Sequence, residues 1–209
     1  MRKLCLLFLL IGTYCYAGER KYTVDSPDGK IQLAIIQTDA GELTYQLSVK
    51  RKQVIDASAL GFKTEDGLTF PFRGWKMGKV TRNKVNSVWK PLWGKRAVVP
   101  DKYNEMKLSF VNEAKSSDAL EVVARAYNEG VAFRYVSPQD AGSALELTTF
   151  NFAGDYTAWF YNGERHNIGP ERLTETDGER LPVMTVKAAD DLYLAVHEAC
   201  LDEGEPLKP

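Results

Sequence analysis

Apolar and polar positions alternate with a period of two along much of the chain. Ile31, Leu33 and Ile35 alternate with Gln32, Ala34 and Ile36, and Leu43, Tyr45, Leu47 and Val49 alternate with Thr44, Gln46 and Ser48. That period sends successive side chains to opposite faces of a β-strand. Asp28-Gly29 and Ala40-Gly41 stand just before these two runs and predict turns there. Lys107, Ser109 and Val111 alternate in the same way with Leu108, Phe110 and Asn112. Further strands are expected over 120–127, 131–136, 145–152, 183–186 and 192–197, with Asn128-Glu129-Gly130, Ser137-Pro138 and Ala189-Asp190-Asp191 as punctuation. No window sustains a capped helical stripe, and Ser116-Ser117-Asp118 makes the stretch from Glu113 to Ala119 a loop. Many short strands at roughly ten-residue spacing predict an all-β sandwich or barrel. No fixed repeat and no low-complexity linker interrupts residues 18–201, which read as one domain.

Composition agrees with a globular chain. Of 209 residues, 44% are hydrophobic and 26% charged, and 27 basic residues stand against 28 acidic ones for a net charge of -1. A near-neutral balance without a basic block gives no reason to expect nucleic acid as a partner. The start of the chain differs from the rest. Arg2 and Lys3 precede an apolar run from Leu4 to Ile11, and Cys15-Tyr16-Ala17 offers a cleavage triplet. This is the three-part order of a secretory signal over residues 1–17, too short to span a bilayer, which takes about 20 apolar residues. A periplasmic or secreted protein is expected. Cleavage would leave 25 basic and 28 acidic residues, with Cys200 as the remaining cysteine and no intrachain disulfide.

Several chemistries lack their motifs. The chain has no phosphate-cradling glycine loop, no cysteine cluster, no His-Glu-x-x-His and no Gly-x-Ser-x-Gly. Two constellations remain. The first is Trp159-Phe160-Tyr161-Asn162-Gly163-Glu164-Arg165-His166, with Trp89-Lys90-Pro91-Leu92-Trp93-Gly94-Lys95-Arg96 as a similar case. Aromatics beside polar groups suit sugars, which offer C–H faces and hydroxyl edges. The same pattern also fits alternate aromatics packing into a core, with Asn162-Gly163 as a plain turn. The second constellation is His197-Glu198 at the end of an apolar strand, where one of the pair must leave the core. A carboxylate there can ligate calcium, but only with several further oxygens. Asp202, Glu203 and Glu205 fit a solvated tail.

Four stretches in order carry a resemblance. They are Trp89 to Arg96, Tyr103-Asn104-Glu105, the run Arg125-Ala126-Tyr127-Asn128-Glu129-Gly130-Val131-Ala132-Phe133-Arg134-Tyr135, and Ala195-Val196-His197-Glu198-Ala199. Together they resemble the N-terminal region of glycoside hydrolase family 97, over roughly residues 20 to 201. The resemblance implies a galactose mutarotase-like β-super-sandwich, set in the family beside a (β/α)8 barrel that holds the catalytic carboxylates. It implies exo-acting, calcium-dependent α-glucosidases or α-galactosidases, mostly from Bacteroidetes-type bacteria, acting on α-linked oligosaccharides. It makes Glu198 the domain's calcium ligand, with His197 beside it; His197, and Trp159 from the aromatic-polar stretch, are the candidate substrate-binding residues.

The departure from the family falls at residues 202–209, Asp-Glu-Gly-Glu-Pro-Leu-Lys-Pro, which lack strand alternation. The expectation is an aberrant or truncated tail and a sandwich incomplete at its C-terminal end. No catalytic residue is assigned, because a glycosidase needs two carboxyl groups flanking the scissile bond and no such pair is identifiable. The expected chain is therefore a carbohydrate-binding-type domain without its catalytic barrel, inactive alone. A stand-alone periplasmic carbohydrate-binding module and a non-functional gene fragment are the alternatives.

Overall fold

The structure, a computed structural model, describes residues 19–115, 119–137, 142–162, 166–176, 178 and 180–198. The expected signal segment 1–17, Cys200 and the tail 202–209 lie outside the described residues, as do Gly163, Glu164 and Arg165 of the aromatic-polar stretch.

The first alternating runs form an antiparallel meander of β1 (Arg20–Asp25), β2 (Ile31–Gln37), β3 (Leu43–Val49) and β4 (Lys52–Ala59). The expected turn at Asp28-Gly29 closes its first hairpin. Ser26 donates its hydroxyl to the Asp28 carboxylate at 2.7 Å, and the Lys30 ammonium sits 3.0 Å from it. These partners hold the Asp28 carboxyl down at about 2. After the short β5 (Phe62–Thr64), a second meander follows: β6 (Trp75–Trp89), β7 (Val99–Asn112), β8 (Ala119–Tyr127) and β9 (Val131–Val136).

The two meanders face each other. Val24, Leu33, Ile35 and Tyr45 from the first sheet meet Met106, Leu108, Phe110 and Val122 from the second in one buried cluster. The period of two decides which residues enter it: Leu108 and Phe110 point in, while Lys107 and Ser109 between them point out. Polar ties stitch the sheets together at the same end. Asn104 donates its amide to the Asp25 carbonyl at 2.7 Å, Arg82 donates to the Thr23 carbonyl, and the Asp28 backbone N–H donates to the Asn128 side-chain oxygen at 3.0 Å. Asn104 and Asn128, both in the family-like stretches, thus serve the fold.

An aromatic cluster lies in the same core. Phe62 stacks on Phe70 at 5.2 Å, and Phe70 meets Phe110 edge-on at 5.1 Å and Tyr135 at 5.8 Å. Gly61 lets the chain double back here, since a Cβ on it would sit 2.6 Å from the Phe70 carbonyl oxygen.

One expected strand is corrected. Of residues 145–152, only β10 (Ala144–Glu146) is a strand, paired with β5, and Phe152 makes a single bridge to Ile55. Between them backbone bonds continue irregularly, Leu147 N–H to the Gly61 carbonyl at 2.9 Å, Thr149 N–H to the Ala59 carbonyl at 3.2 Å and Asp56 N–H to the Asn151 carbonyl at 2.7 Å, and side chains add to them. Ala59 N–H donates to the Thr149 hydroxyl at 2.8 Å, Asn151 N–H donates to the Ser58 hydroxyl at 2.9 Å, and the Asn151 amide donates to the Ala57 carbonyl at 2.8 Å. Ser, Thr and Asn compete with regular pairing in this way. The segment still follows the edge of β4, but its backbone is irregular.

The remaining strands, β11 (Thr157–Asn162), β12 (His166–Arg172), β13 (Leu181–Ala189) and β14 (Leu192–Val196), build a third antiparallel sheet in the order β12-β11-β13-β14. Its inner face buries Ala158, Phe160, Met184, Val186 and Val196. Phe150, Phe152 and Leu194 touch both this cluster and the main core, so the third sheet is joined to the sandwich through apolar contact.

Two substitutions separate core from stitching. Phe110→Ala, at a fully buried site, is expected to cost about 3–5 kcal/mol. Asn128→Ala, which removes one exposed hydrogen bond, is expected to cost about 1 kcal/mol. Urea denaturation followed by circular dichroism measures both, and an equal cost would contradict this division of roles.

Candidate sugar-binding surface

The candidate surface lies on the third sheet. Strand alternation in β11 turns Ala158 and Phe160 into the core and leaves Trp159 and Tyr161 on the other face, Trp159 half-buried and Tyr161 exposed. Phe160 therefore packs inside, as the core reading of this stretch expects, and Trp159 lies at the surface. Gly169 of β12 fixes the indole's position. It holds φ at +109°, and a Cβ there would lie 2.4 Å from the Ala158 carbonyl oxygen and 3.3 Å from Trp159 Cδ1. Only glycine accepts both the backbone angle and the approach.

Tyr193 of β14 reaches Trp159 across the sheet, with ring centroids 6.4 Å apart and planes tilted by 34°. The two rings form an apolar platform on the outer face. The sequence pattern contains Tyr193, since Leu192, Leu194 and Val196 alternate with it, but the ring it meets lies on another strand. The same alternation leaves Ala195 and then His197 exposed, while Val196 is buried and Glu198 is half-buried. His197 and Glu198 lie just beyond the end of β14. His197 continues the exposed positions of Tyr193 and Ala195; Glu198 does not.

Charged groups flank the platform. Thr157 pairs with Lys187, which pairs with Tyr193. Beside them a polar recess of about 460 Å3 is lined by Asp155, Thr157, Arg172, Lys187 and Asp190. Asp155 accepts from the Thr174 backbone N–H at 3.0 Å and pairs with Arg172 at 2.9 Å, which holds its carboxyl below the usual range. Lys187 pairs with Asp190 at 2.8 Å, which lowers the Asp190 pKa and raises that of Lys187. An aromatic platform beside charged donors and acceptors matches the two aspects of a sugar ring.

A larger trough of about 790 Å3 opens on the inner side of the third sheet, lined by Asp56, Phe150, Phe152, Asp155, Phe160 and Met184 among others. Its two carboxylates serve local structure: Asp155 as described, and Asp56 as acceptor of the Gln53 amide at 2.6 Å. None of Trp159, His197 and Glu198 lines it.

A calcium ion takes six to eight oxygen ligands. Among the described residues no group of three or more His, Cys, Asp or Glu side chains is placed to hold a metal. Glu198 by itself does not make a calcium site.

A second cluster sits on the outer face of the second sheet, in the family-like stretches to which no site had been assigned. Arg125 donates to Glu105 at 2.8 Å and lies over the Tyr103 ring at 4.3 Å, and Tyr103 and Tyr127 pack at 5.0 Å. Tyr103 and Glu105 are buried although they point away from the core. Burial pushes the Tyr103 phenol up, against the opposing pull of Arg125. The signal in sequence was the shared period of two in Tyr103/Glu105 and Arg125/Tyr127, which places all four on one face.

The family described as glycosyl-hydrolase 97 N-terminal matches residues 24–204. A retaining alpha-galactosidase of Bacteroides thetaiotaomicron is 22% identical over 222 residues, covering 97% of this chain and 32% of that protein. A probable retaining alpha-galactosidase of Streptomyces bingchenggensis is 29% identical over 166 residues, covering 77% and 26%. Among solved structures, a glycoside hydrolase family 97 enzyme from Pseudoalteromonas sp. strain K8 in complex with panose superposes with a TM-score of 0.70 at 29% identity, covering 86% of this chain and 28% of that one. The chain thus spans about a third or less of the length of the relatives it matches. The all-β fold expected from the sequence is the fold found, and this chain belongs to the N-terminal domain family of glycoside hydrolase family 97.

Proposed function

We propose that this chain is the sugar-facing accessory sandwich of an exported, exo-acting α-glycosidase, an α-glucosidase or α-galactosidase, whose catalytic carboxylates lie on a barrel outside these residues. The observation that carries the reading is the Trp159–Tyr193 platform beside the charged recess, open at the surface of a family 97 domain. The platform and His197 would form one wall against an α-linked oligosaccharide. Glu198 would supply one carboxylate to a calcium site completed by the rest of the enzyme. The basic-then-apolar start of the chain supports export to the periplasm or beyond.

The chemistry of glycoside hydrolysis sets the first test. It requires an acid and a second carboxylate on either side of one bond. The purified chain, incubated with aryl α-glucoside and aryl α-galactoside in calcium, is expected to give no hydrolysis above the buffer rate. Activity that follows the protein through purification would overturn the reading.

Binding gives two further tests. One wall of a sugar site should bind maltose or galactose more weakly than about 1 mM, a free energy of roughly -4 kcal/mol. Tryptophan fluorescence measures this. A saturable response at lower concentration, abolished by Trp159→Ala, would favour a stand-alone carbohydrate-binding module, the reading that the exposed platform also supports. Calorimetry with calcium is expected to show an affinity no tighter than the millimolar range, since a tight site takes six or more oxygens. A micromolar site lost in Glu198→Gln would show that the chain holds calcium unaided.

A further inference from the structure

The third sheet ends on an unguarded edge. Its order β12-β11-β13-β14 makes β14 an outermost strand, and among the described residues Leu192–Val196 pair only with β13. Alternate backbone N–H and C=O groups along β14 therefore point outward with no strand to meet them. The other edges of the four-stranded sheets are each blunted. β1 carries Arg20, Lys21 and Asp25, β6 carries Lys76, Lys79, Arg82 and Lys84, β9 carries Arg134, and β12 contains Gly169-Pro170 and Arg172. β4 is covered by the irregular segment, through the Asp56 N–H to the Asn151 carbonyl at 2.7 Å and the Ile55–Phe152 bridge. Charge, proline and cover are the devices that stop edge-to-edge pairing. β14 reads Leu-Tyr-Leu-Ala-Val and has none of them.

The strand is its own complement. The match for a charge-free edge is another charge-free edge, and among the described four-stranded sheets β14 alone supplies one. A two-fold axis placed at Leu194 sets Leu192 opposite the second copy's Val196 and Tyr193 opposite its Ala195. Apolar residues then meet on the inner side, where Leu192 and Leu194 are half-buried. An axis perpendicular to the sheet leaves both outer faces on one side. Register decides what this does to the platform. Trp159 lies across from Thr185, and Thr185 across from Ala195. That row runs on into the second copy's Tyr193. The two Tyr193 rings become diagonal neighbours, about 7–8 Å apart and within reach of each other. Two four-stranded sheets become one, with both Trp159–Tyr193 pairs on the same face. The two strands that carry Trp159 stand about 24 Å apart at the usual strand spacing.

We propose that β14 is a self-association edge: two copies of this chain join β14 to β14 in an isologous dimer, and their outer faces form one continuous platform for a long α-linked oligosaccharide. The proposal rests on the reading of the Trp159–Tyr193 platform as a sugar-binding surface. A five-residue strand pair is a small interface, so the free dimer is weak. A sugar chain long enough to cross the seam binds the dimer better than the monomer and draws the two copies together. Maltose reaches the rings of one copy only. The association closes at two copies, because each copy offers one such edge.

Sedimentation equilibrium of the full 209-residue chain tests this. The expected result is a reversible dimer with Kd of about 100 μM, tightened about tenfold or more by maltoheptaose and unaltered by maltose. Ala195→Lys, at an exposed position of the edge, should weaken the dimer about tenfold or more and leave the Tm unchanged. A chain monomeric up to about 1 mM, a dimer indifferent to Ala195→Lys, or growth to larger species would overturn the edge. A dimer that maltoheptaose does not tighten would overturn the shared platform. Tryptophan fluorescence separates this failure from failure of the proposed function. If the chain stays monomeric while a weak response to maltose disappears in Trp159→Ala, the dimer is wrong and the sugar-facing reading stands. If neither sugar gives a response that depends on Trp159, both fall.

Discussion

The apolar seam between the two meanders is the constraint on which everything else rests. Leu33 and Ile35 press against Met106, Leu108, Phe110 and Val122, all fully buried. Burial of this kind is non-directional and does not by itself fix how two sheets are placed. The placement comes from groups at one end of the seam. The Asn104 amide reaches the Asp25 carbonyl, and the Asn128 side chain takes the backbone N–H of Asp28 in the first turn. Asp28 is itself held by Ser26 and Lys30. One end of the sandwich is thus a short chain of polar contacts from β7 and the β8–β9 turn into the β1–β2 turn.

The third sheet inherits its position from that seam. Phe150, Phe152 and Leu194 lie in both apolar clusters, and the irregular segment before β11 is tied to β4 by Thr149, Asn151 and Ser58. The Trp159–Tyr193 platform is therefore oriented by the core rather than by a loop. Gly169 adds the local condition, since nothing larger fits between it and the backbone of Trp159. A platform held in place this way loses little side-chain freedom when a ligand covers it.

Much of this was legible in the residue pattern. The runs at 43–49, 107–112 and 131–136 alternate because each has one face in the seam and one outside it, whereas Ala34 and Ile36 of β2 and Val123 of β8 are buried on the second face as well. Three strands were less visible for physical reasons. In β1 and β4 the burial is uneven, and in β6 nearly every residue is half-buried or exposed, so no hydrophobic period develops. The segment at 145–152 reads as one strand because Phe150 and Phe152 pack against the core, yet only Ala144–Glu146 pairs regularly and the rest is tied to residues 54–61 by scattered backbone and side-chain bonds. At the site, Trp159, His197 and Glu198 were visible as residue types, and their burial follows the alternation. Tyr193 and the Tyr103–Arg125 cluster were missed because their partners lie on other strands.

The sequence by itself determined the class of fold, the residues that face the core within the alternating strands, and the family, because these depend on local period and on motifs contiguous in the chain. Only the tertiary structure decided that Asn104 and Asn128 join two sheets while Tyr103 and Arg125 face away from them, although all four stand in the same short stretches. The cause is cross-strand register. Period tells which side of a strand a residue occupies, whereas which residue lies opposite it, and whether another sheet covers that side, is settled by contacts between positions far apart in the chain.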